Sequence, residues 1–201
     1  MVNVFVSPLL EANSFIVPNE NEVFLIDAVK GVKDYLNENF PGREIVLLLT
    51  HAHVDHICDL PHLKPSKIYI HKFDKELLEN PSLSLGRLYG FDGLDVNSLP
   101  LVNAEEFSKE WNFFHTPGHS PGSSCFMYKN EYLFTGDTLF PNSIGRTDFL
   151  GGDRVEMEKS LALLKSILQK NKDLSIFPGH GQESSARIVL DINPFIKNVK
   201  I

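Results

Sequence analysis

His51-Ala52-His53-Val54-Asp55-His56 places three imidazoles and one carboxylate within six consecutive residues. The segment follows the apolar run at residues 45–49, which is short and continuous enough to be a buried strand. Imidazole binds zinc, iron and nickel, and a carboxylate adds a hard, charged ligand. Solvated histidines gain little from such crowding, because protonated neighbours repel one another. The stretch therefore predicts a metal site at the end of a strand.

Three later segments repeat one pattern, in which an apolar, strand-like run leads through a turn to a potential metal ligand. The turns contain glycine or proline, which let the backbone change direction sharply at a strand end. The ligands reached in this way are His119, Asp137 and His180. Together with the first segment they are too many for one tetrahedral zinc ion, and they suit two metals that share a carboxylate.

This ordered set resembles the metallo-β-lactamase superfamily, which also has an aspartate where Asp27 follows the apolar run at residues 23–26. Shorter motifs narrow the resemblance to the glyoxalase II (hydroxyacylglutathione hydrolase) group, and within it to short bacterial and archaeal members. These motifs are TPGHSPGS at 116–123, GDTLF at 136–140, GRTD at 145–148 and PGHG at 178–181. The resemblance implies a single α/β domain over residues 1–201 with the αββα sandwich fold, in which two mixed sheets pack face to face and helices cover the outer faces.

The resemblance also implies which side chains hold the metals. His51, His53 and His119 would hold the first, Asp55, His56 and His180 the second, and Asp137 would bridge the two. The implied reaction is hydrolysis of a small-molecule thioester such as S-D-lactoylglutathione, through attack of a metal-bridging hydroxide that Asp55 orients. A bound metal lowers the pKa of water to about 7, which makes hydroxide available at neutral pH. The implied cofactor is two divalent ions, with zinc expected first and iron or manganese as alternatives.

Oxygen-bearing residues beside these ligands are candidates to accept a hydrogen bond from the ring N–H that a metal-bound imidazole retains. They are Asp27, Thr50 and Thr135. Arg146 is a candidate for contacting the substrate. It could instead pair with Asp148 and hold its own loop, and this pairing is favoured because an Arg–carboxylate fork makes two parallel hydrogen bonds.

Other functions stay open at this point. A persulfide dioxygenase shares the fold and a Gly-Arg-Thr-Asp segment, and would bind one iron through His51, His119 and Asp137. A β-lactamase, a lactonase or a hydrolase of another ester or thioester is a second alternative. The residues after 181 are too few for the helical region with which larger glyoxalase II enzymes hold glutathione, so glutathione itself is in question. A metal-binding module without catalysis would be a different class of protein.

Composition argues against several kinds of partner. A formal net charge of −7 disfavours nucleic acid, which needs a basic surface, and no apolar run approaches the roughly 18 residues of a membrane span. The N-terminus lacks the basic region of a signal peptide, so we expect a cytoplasmic location. Cys58 and Cys125 form no CxxC motif and predict no disulfide framework. Cys125 is expected in the core, and for Cys58, just past the ligand cluster, a small buried side chain is favoured over a metal ligand or a redox switch. The sequence leaves the oligomeric state open.

Local patterns predict the elements that flank the site. Val2, Val4 and Val6 alternate as the buried face of a half-buried strand would. A capping box at residues 153–156 predicts the start of an amphipathic helix. Residues 80–100 resemble a loop with scattered apolar side chains, which would either form a lid or pocket wall or be pinned to the core.

Overall fold

The computed structural model describes residues 1–107 and 110–200, and the chain divides into two compact units, residues 1–106 and 107–201. Each unit contains one mixed β-sheet and a hydrophobic core of its own. The expected α/β class with two mixed sheets and helices is confirmed. Within the described part of the chain, no helix combines the length and the apolar character needed to cross a membrane.

The sheet of the first unit has six strands, whose order in the sheet follows the chain. They are β1 (Asn3–Val6), β2 (Asn13–Pro18), β3 (Glu22–Ile26), β4 (Glu44–Leu48), β5 (Lys67–Ile70) and β6 (Leu101–Asn103). β1, β2 and β3 are antiparallel neighbours, whereas β3 to β6 are parallel. The connections after β3, β4 and β5 contain α1 (Val32–Asn39), α2 (Val54–Ile57) and α3 (Lys75–Glu79).

The core of this unit fixes the strand ends from which the candidate ligands emerge. Val23 and Leu25 of β3 and Leu47 of β4 are fully buried in one cluster. Val32 and Leu36 of α1 pack into the same cluster, at the helical spacing of the sequence. Burying a side chain of this kind contributes roughly 1.5–3 kcal/mol, so the strands leading to the ligands are strongly held.

The edge strand β1 buries the face opposite to the one that its valines indicate. Val4 and Val6 are 44% and 55% exposed, whereas the ring of Phe5 packs on Tyr35 of α1 with centroids 5.3 Å apart. The predicted strand is confirmed, but its predicted buried face is wrong. One large aromatic side chain buries more apolar area than two valines on an edge strand can, and it therefore sets the orientation.

The segment at residues 80–100 is pinned to the core of the first unit. The Leu94 N–H donates to the Leu78 carbonyl at 2.8 Å. A Cβ on Gly93 would lie only 2.2 Å from the Glu79 carbonyl oxygen, so the backbones touch there. Of the two interpretations left open by the sequence, these contacts support the pinned loop.

The sheet of the second unit has five strands. They are β7 (Trp111–His115), β8 (Ser124–Tyr128), β9 (Tyr132–Gly136), β10 (Ser175–Pro178) and β11 (Ser184–Ser185), in the spatial order β11-β10-β9-β8-β7. β9 and β10 are parallel and the other neighbours antiparallel. The helices of this unit are α4 (Arg154–Lys170), α5 (Ala186–Ile192) and α6 (Pro194–Asn198).

Helix α4 begins at the residue that the sequence predicts. Asp153 Oδ1 accepts hydrogen bonds from the N–H groups of Val155 and Glu156 at 2.7 and 3.0 Å. The reciprocal half of the capping box does not form. Glu156 pairs instead with Lys159 at 2.7 Å, and the Asp153 N–H donates to the Gly118 carbonyl at 2.9 Å. The cap therefore also ties the helix to a loop that carries a candidate ligand.

Candidate metal centre

The first unit delivers its candidate ligands at the carboxyl ends of parallel strands. Asp27 directly follows β3, and the segment 51–56 follows β4. Because β3, β4 and β5 are parallel, these ends meet at one edge of the sheet, where α/β proteins commonly bind ligands. Asp27 therefore contacts His56, which lies 29 positions further along the chain.

The four polar side chains of segment 51–56 are buried close together. The residues His51, His53, Asp55 and His56 are 1%, 2%, 8% and 0% exposed. The rings of His51 and His53 have centroids 4.9 Å apart, and those of His51 and His56 are 4.2 Å apart. Asp55 Oδ2 lies 3.9 Å from His56 Nε2. This cluster offers imidazole nitrogens and a carboxylate oxygen to a cation, as zinc and iron sites require.

Asp27 connects two parts of this cluster through one carboxylate. Its Oδ1 accepts from the Thr50 N–H at 2.7 Å, and its Oδ2 accepts from the Thr50 hydroxyl at 2.7 Å and from His56 Nδ1 at 2.8 Å. The proton on His56 Nδ1 leaves the Nε2 lone pair for a metal, which is how a carboxylate orients a ligating imidazole. Thr50 Oγ1 also lies 3.1 Å from His51 Nδ1. Asp27 and Thr50 thus contact two of the candidate ligands.

The backbone at Asp27 has a left-handed conformation that few side chains accept. Its φ is 60°, a value at which aspartate and asparagine are the best tolerated residues after glycine. The Asp27 N–H donates to the Leu48 carbonyl at 3.0 Å, and its own carbonyl accepts from the Ser14 hydroxyl at 2.5 Å. Neighbouring strands therefore hold this turn and aim the carboxylate at the imidazole.

Two buried carboxylates that the sequence did not single out fix the backbone around the cluster. Asp74 Oδ2 accepts from the Ala52 N–H at 3.0 Å, at the residue between two candidate ligands. Asp59 Oδ2 accepts from two N–H groups at the start of α1, both at 2.9 Å. Asp74 lies just beyond the end of β5, much as Asp27 lies beyond β3, and that shared position was a signal that could have identified it.

The second unit gathers its three candidate ligands around one carboxylate oxygen. His119 Nε2 and His180 Nε2 lie 3.5 and 3.6 Å from Asp137 Oδ2. These residues follow β7, β9 and β10, which all run in the same direction, so their carboxyl ends share an edge of the sheet. A carboxylate flanked by two imidazoles is the arrangement expected where one carboxylate is a ligand of more than one metal ion.

Hydrogen bonds join the three loops that carry these ligands. The Thr116 and Thr138 hydroxyls lie 3.0 Å apart, which connects the loop after β7 to the turn after β9. The Gly179 N–H donates to the Gly136 carbonyl at 2.8 Å, which connects the turn after β9 to the loop after β10. The Thr135 hydroxyl donates to the Leu139 carbonyl at 2.7 Å, so within the described residues it closes the turn of Asp137 rather than contacting an imidazole.

Two glycines allow chain segments to approach these ligands closely. A Cβ on Gly145 would lie 1.9 Å from the Asp137 carbonyl oxygen and 3.0 Å from His119 Nδ1. Gly118 has a φ of 138°, and a Cβ there would lie 2.5 Å from Met157 Cα. Glycine at 118 lets the loop before His119 pack against α4. Glycine at 145 lets its own segment pass close to the Asp137 carbonyl and the His119 ring.

Arg146 contributes its carbonyl group to the site. His119 Nδ1 donates to the Arg146 carbonyl oxygen at 2.8 Å, which leaves His119 Nε2 for a metal. The guanidinium forms a fork with Asp148, with two N–O distances of 2.9 Å, and the hydrogen bond lowers the pKa of the Asp148 carboxyl. The favoured pairing with Asp148 is confirmed, and contact with a substrate stays a prediction.

Both cysteines are free thiols. Burial raises the pKa of Cys125 to about 12, and burial with the nearby Asp55 and Asp59 carboxylates raises that of Cys58 to about 11. Thiolate chemistry at neutral pH is therefore unfavourable at either position. The expected burial of Cys125 is confirmed, whereas Cys58 is only half-buried.

The donor set as a whole fits divalent metal ions. Five imidazoles and two carboxylates provide the nitrogen and oxygen ligands that zinc, iron and manganese accept. His56 and His119 each bond an oxygen through Nδ1, so their Nε2 atoms are oriented as ligands. Such support of the far ring nitrogen is typical of histidines that bind metal.

Comparison with known proteins assigns the chain to a family. Residues 8–180 match the metallo-beta-lactamase superfamily, and the chain belongs to it. It is a metal-dependent hydrolase of that superfamily, and its two mixed sheets with helices form the metallo-β-lactamase fold.

Several relatives cover nearly the whole chain. The probable metallo-hydrolase YqgX of Bacillus subtilis is 29% identical over 206 residues, which span 96% of this chain and 95% of YqgX. The crystal structure of the BLEG-1 B3 metallo-beta-lactamase is similar with a TM-score of 0.83 and 30% identity, over 98% of this chain and 100% of that one. The crystal structure of TTHA1623 in a di-iron-bound form is similar with a TM-score of 0.79 and 29% identity, over 96% and 99%.

Proposed function

We propose that this chain is a binuclear metallohydrolase that cleaves small-molecule thioesters in the cytoplasm. The proposed ligands of the two ions, zinc or iron, are His51, His53, Asp55, His56, His119, Asp137 and His180. The observation that carries the proposal is this donor set, because a single tetrahedral ion would use only about four of the seven side chains. The glyoxalase II-like motifs around His119, Asp137 and His180 support a thioester as the substrate.

The side chains of the protein orient the reacting groups. When bound, the two ions would supply a water acidic enough to act as a nucleophile at neutral pH and positive charge for the developing oxyanion. Asp27 holds the proton of His56 on Nδ1, and the Arg146 carbonyl does the same for His119. The carboxylate of Asp55 would align the attacking water. A thiolate is a stable leaving group, since thiols ionise near pH 8.5, so no separate general acid is needed.

The test is hydrolysis of S-D-lactoylglutathione and of S-acetyl-N-acetylcysteamine by the metal-loaded protein. A chelator-stripped sample and Asp137→Ala are compared with Glu110→Ala, which removes an exposed carboxylate that pairs with Lys129. We expect turnover of at least one thioester that is lost in the first two samples and kept in the third. The number of bound ions per chain is measured in parallel, and two are expected.

Other outcomes separate the alternatives. Absence of turnover on thioesters, together with oxygen uptake on glutathione persulfide and one iron per chain, would replace the proposal with a mononuclear dioxygenase. Full loading with two ions and no activity on any ester, thioester, lactone or β-lactam would indicate a metal-binding module without catalysis. Activity that survives chelation and Asp137→Ala would show that the reaction does not use the proposed centre.

A further inference from the structure

An open groove of about 590 Å³ lies beside His180 in the second unit. Its walls are the segment 140–143, the loop 180–184 and one side of α5. The His180 side chain is 26% exposed, and its Nε2 lies 3.6 Å from Asp137 Oδ2. A thioester whose carbonyl lies at these ligands would therefore extend one of its arms along this groove.

The groove is held open by the protein itself. The Asn193 side-chain amide donates to the carbonyls of Phe140 and Ser143, both at 2.9 Å. Its Oδ1 accepts from the N–H groups of Phe195 and Ile196 at 2.9 and 3.0 Å and so caps α6. Asn193 is fully buried and uses its whole amide in these bonds, so it joins one wall of the groove to the helical part of the unit.

The lining chemistry is apolar with a weakly acidic rim. Phe140, Ile188 and Ile192 form the apolar part, and each isoleucine is 48% exposed. Asn142 and Gln182 add neutral amides, and Glu183 adds a carboxylate. Among the residues that the structure describes, no lysine or arginine lines the groove. Arg187, the neighbouring cation on α5, is paired with Asp173 at 3.0 Å.

Glutathione is a poor match for this lining. Its thiol-side arm carries two carboxylates and one ammonium group, a net negative charge, and proteins usually hold such carboxylates with arginine or lysine. Here they would meet apolar side chains and Glu183, and placing like charges together disfavours binding. An uncharged arm with amide groups and methylene carbons would match both the isoleucines and the neutral amides.

We propose that this groove binds the thiol-side arm of the substrate and selects an uncharged, amide-containing arm over the dicarboxylate arm of glutathione. This inference rests on the proposed thioester hydrolysis and specifies which thioesters the enzyme would prefer. It assigns specificity to Ile188, Ile192 and Glu183, none of which is a proposed metal ligand.

The test measures binding without turnover. Two thioethers that cannot be hydrolysed, S-hexyl-N-acetylcysteamine and S-hexylglutathione, are titrated by calorimetry into the metal-loaded protein. We expect the neutral compound to bind about ten-fold more tightly or better. Ile192→Lys should shift this ratio toward S-hexylglutathione by about ten-fold or more, because it places a cation in the groove. Val155→Lys is the matched control, since Val155 is also exposed, on α4, and does not line this groove.

Tighter binding of S-hexylglutathione to the unsubstituted protein, or equal shifts in Ile192→Lys and Val155→Lys, would overturn the inference. A dimer in sedimentation that Ile192→Lys dissociates would assign the groove to a second copy of the chain and would also overturn it. Hydrolysis of S-hexanoyl-N-acetylcysteamine is measured on the same samples. Selective binding without hydrolysis would reject the proposed function alone, and hydrolysis without selective binding would reject this inference alone.

Discussion

Replacing Asp27 by asparagine should weaken metal binding while preserving the shape of the turn. Asparagine accepts the left-handed φ of 60° as well as aspartate does. Both carboxylate oxygens of Asp27 accept hydrogen bonds, Oδ1 from the Thr50 N–H and Oδ2 from His56 Nδ1. An amide has only one oxygen, so its NH₂ group must face one of these donors in either orientation.

If the NH₂ group faces His56, the imidazole must move its proton to Nε2 to accept a hydrogen bond through Nδ1, and Nε2 then has no lone pair for a metal. If the NH₂ group faces Thr50 instead, His56 keeps only a weaker hydrogen bond to a neutral amide oxygen. A hydrogen bond to a charged group is worth about 1.5–3 kcal/mol, and loss of such support typically weakens metal binding about 10- to 100-fold. We therefore expect Asp27→Asn to lose metal to a competing chelator at correspondingly lower chelator concentrations.

Asp59→Asn is the matched control for this experiment. Asp59 is buried like Asp27, but it accepts both of its backbone hydrogen bonds through Oδ2 alone. Its amide can therefore rotate and keep them, and we expect metal affinity close to that of the unsubstituted protein. Metal content is measured by chelator competition, with folding checked by urea denaturation. Equal resistance to the chelator in the two variants would refute the argument that Asp27 sets the tautomer of His56.

Three further predictions concern the second unit. Gly145→Ala should destabilise the fold and reduce bound metal, because the new Cβ would lie 1.9 Å from the Asp137 carbonyl oxygen. The control Gly42→Ala meets no atom within 4 Å and should cost only the strain of a left-handed backbone, about 1–2 kcal/mol. Thermal unfolding and metal analysis compare the two variants. Asp153→Ala should lower the free energy of unfolding in urea by about 1 kcal/mol without changing metal content. Loss of bound metal with an unchanged free energy of unfolding would contradict the capping role. Burial raises the pKa of the folded Cys125 thiol to about 12, whereas the unfolded thiol loses its proton near pH 9. The free energy of unfolding should therefore fall between these pH values, by up to about 1.4 kcal/mol per pH unit. Cys125→Ala should make this slope shallower in urea titrations at a series of pH values.

The sequence predicted the candidate ligands because their signals are local. Each ligand follows a short apolar run and a turn residue, and segment 51–56 is recognisable by itself. Patterns confined to a few residues thus identified the strands and their ends.

The supporting interactions were harder to predict because they depend on pairs distant in the chain. Asp74 bonds the Ala52 N–H across 22 positions, and its place after β5 is the only local signal of this role. Arg146 acts on His119 through its carbonyl, a group that every residue possesses, so its side chain could not reveal this role. The orientation of β1 was wrong because alternation alone does not say which of two apolar faces has a partner.

The bonds of Asn193 have a consequence for how this protein could acquire new substrates. Asn193 holds the segment 140–143 through the carbonyl oxygens of Phe140 and Ser143, and these atoms are present whatever side chains stand there. The bonds that hold the wall are therefore independent of the side chains that face the groove. Substitutions at Asn142 can change the chemistry of the wall while these two bonds hold the backbone. For the proposed role of the groove, an engineer could accordingly diversify Asn142 as a specificity position without redesigning the scaffold.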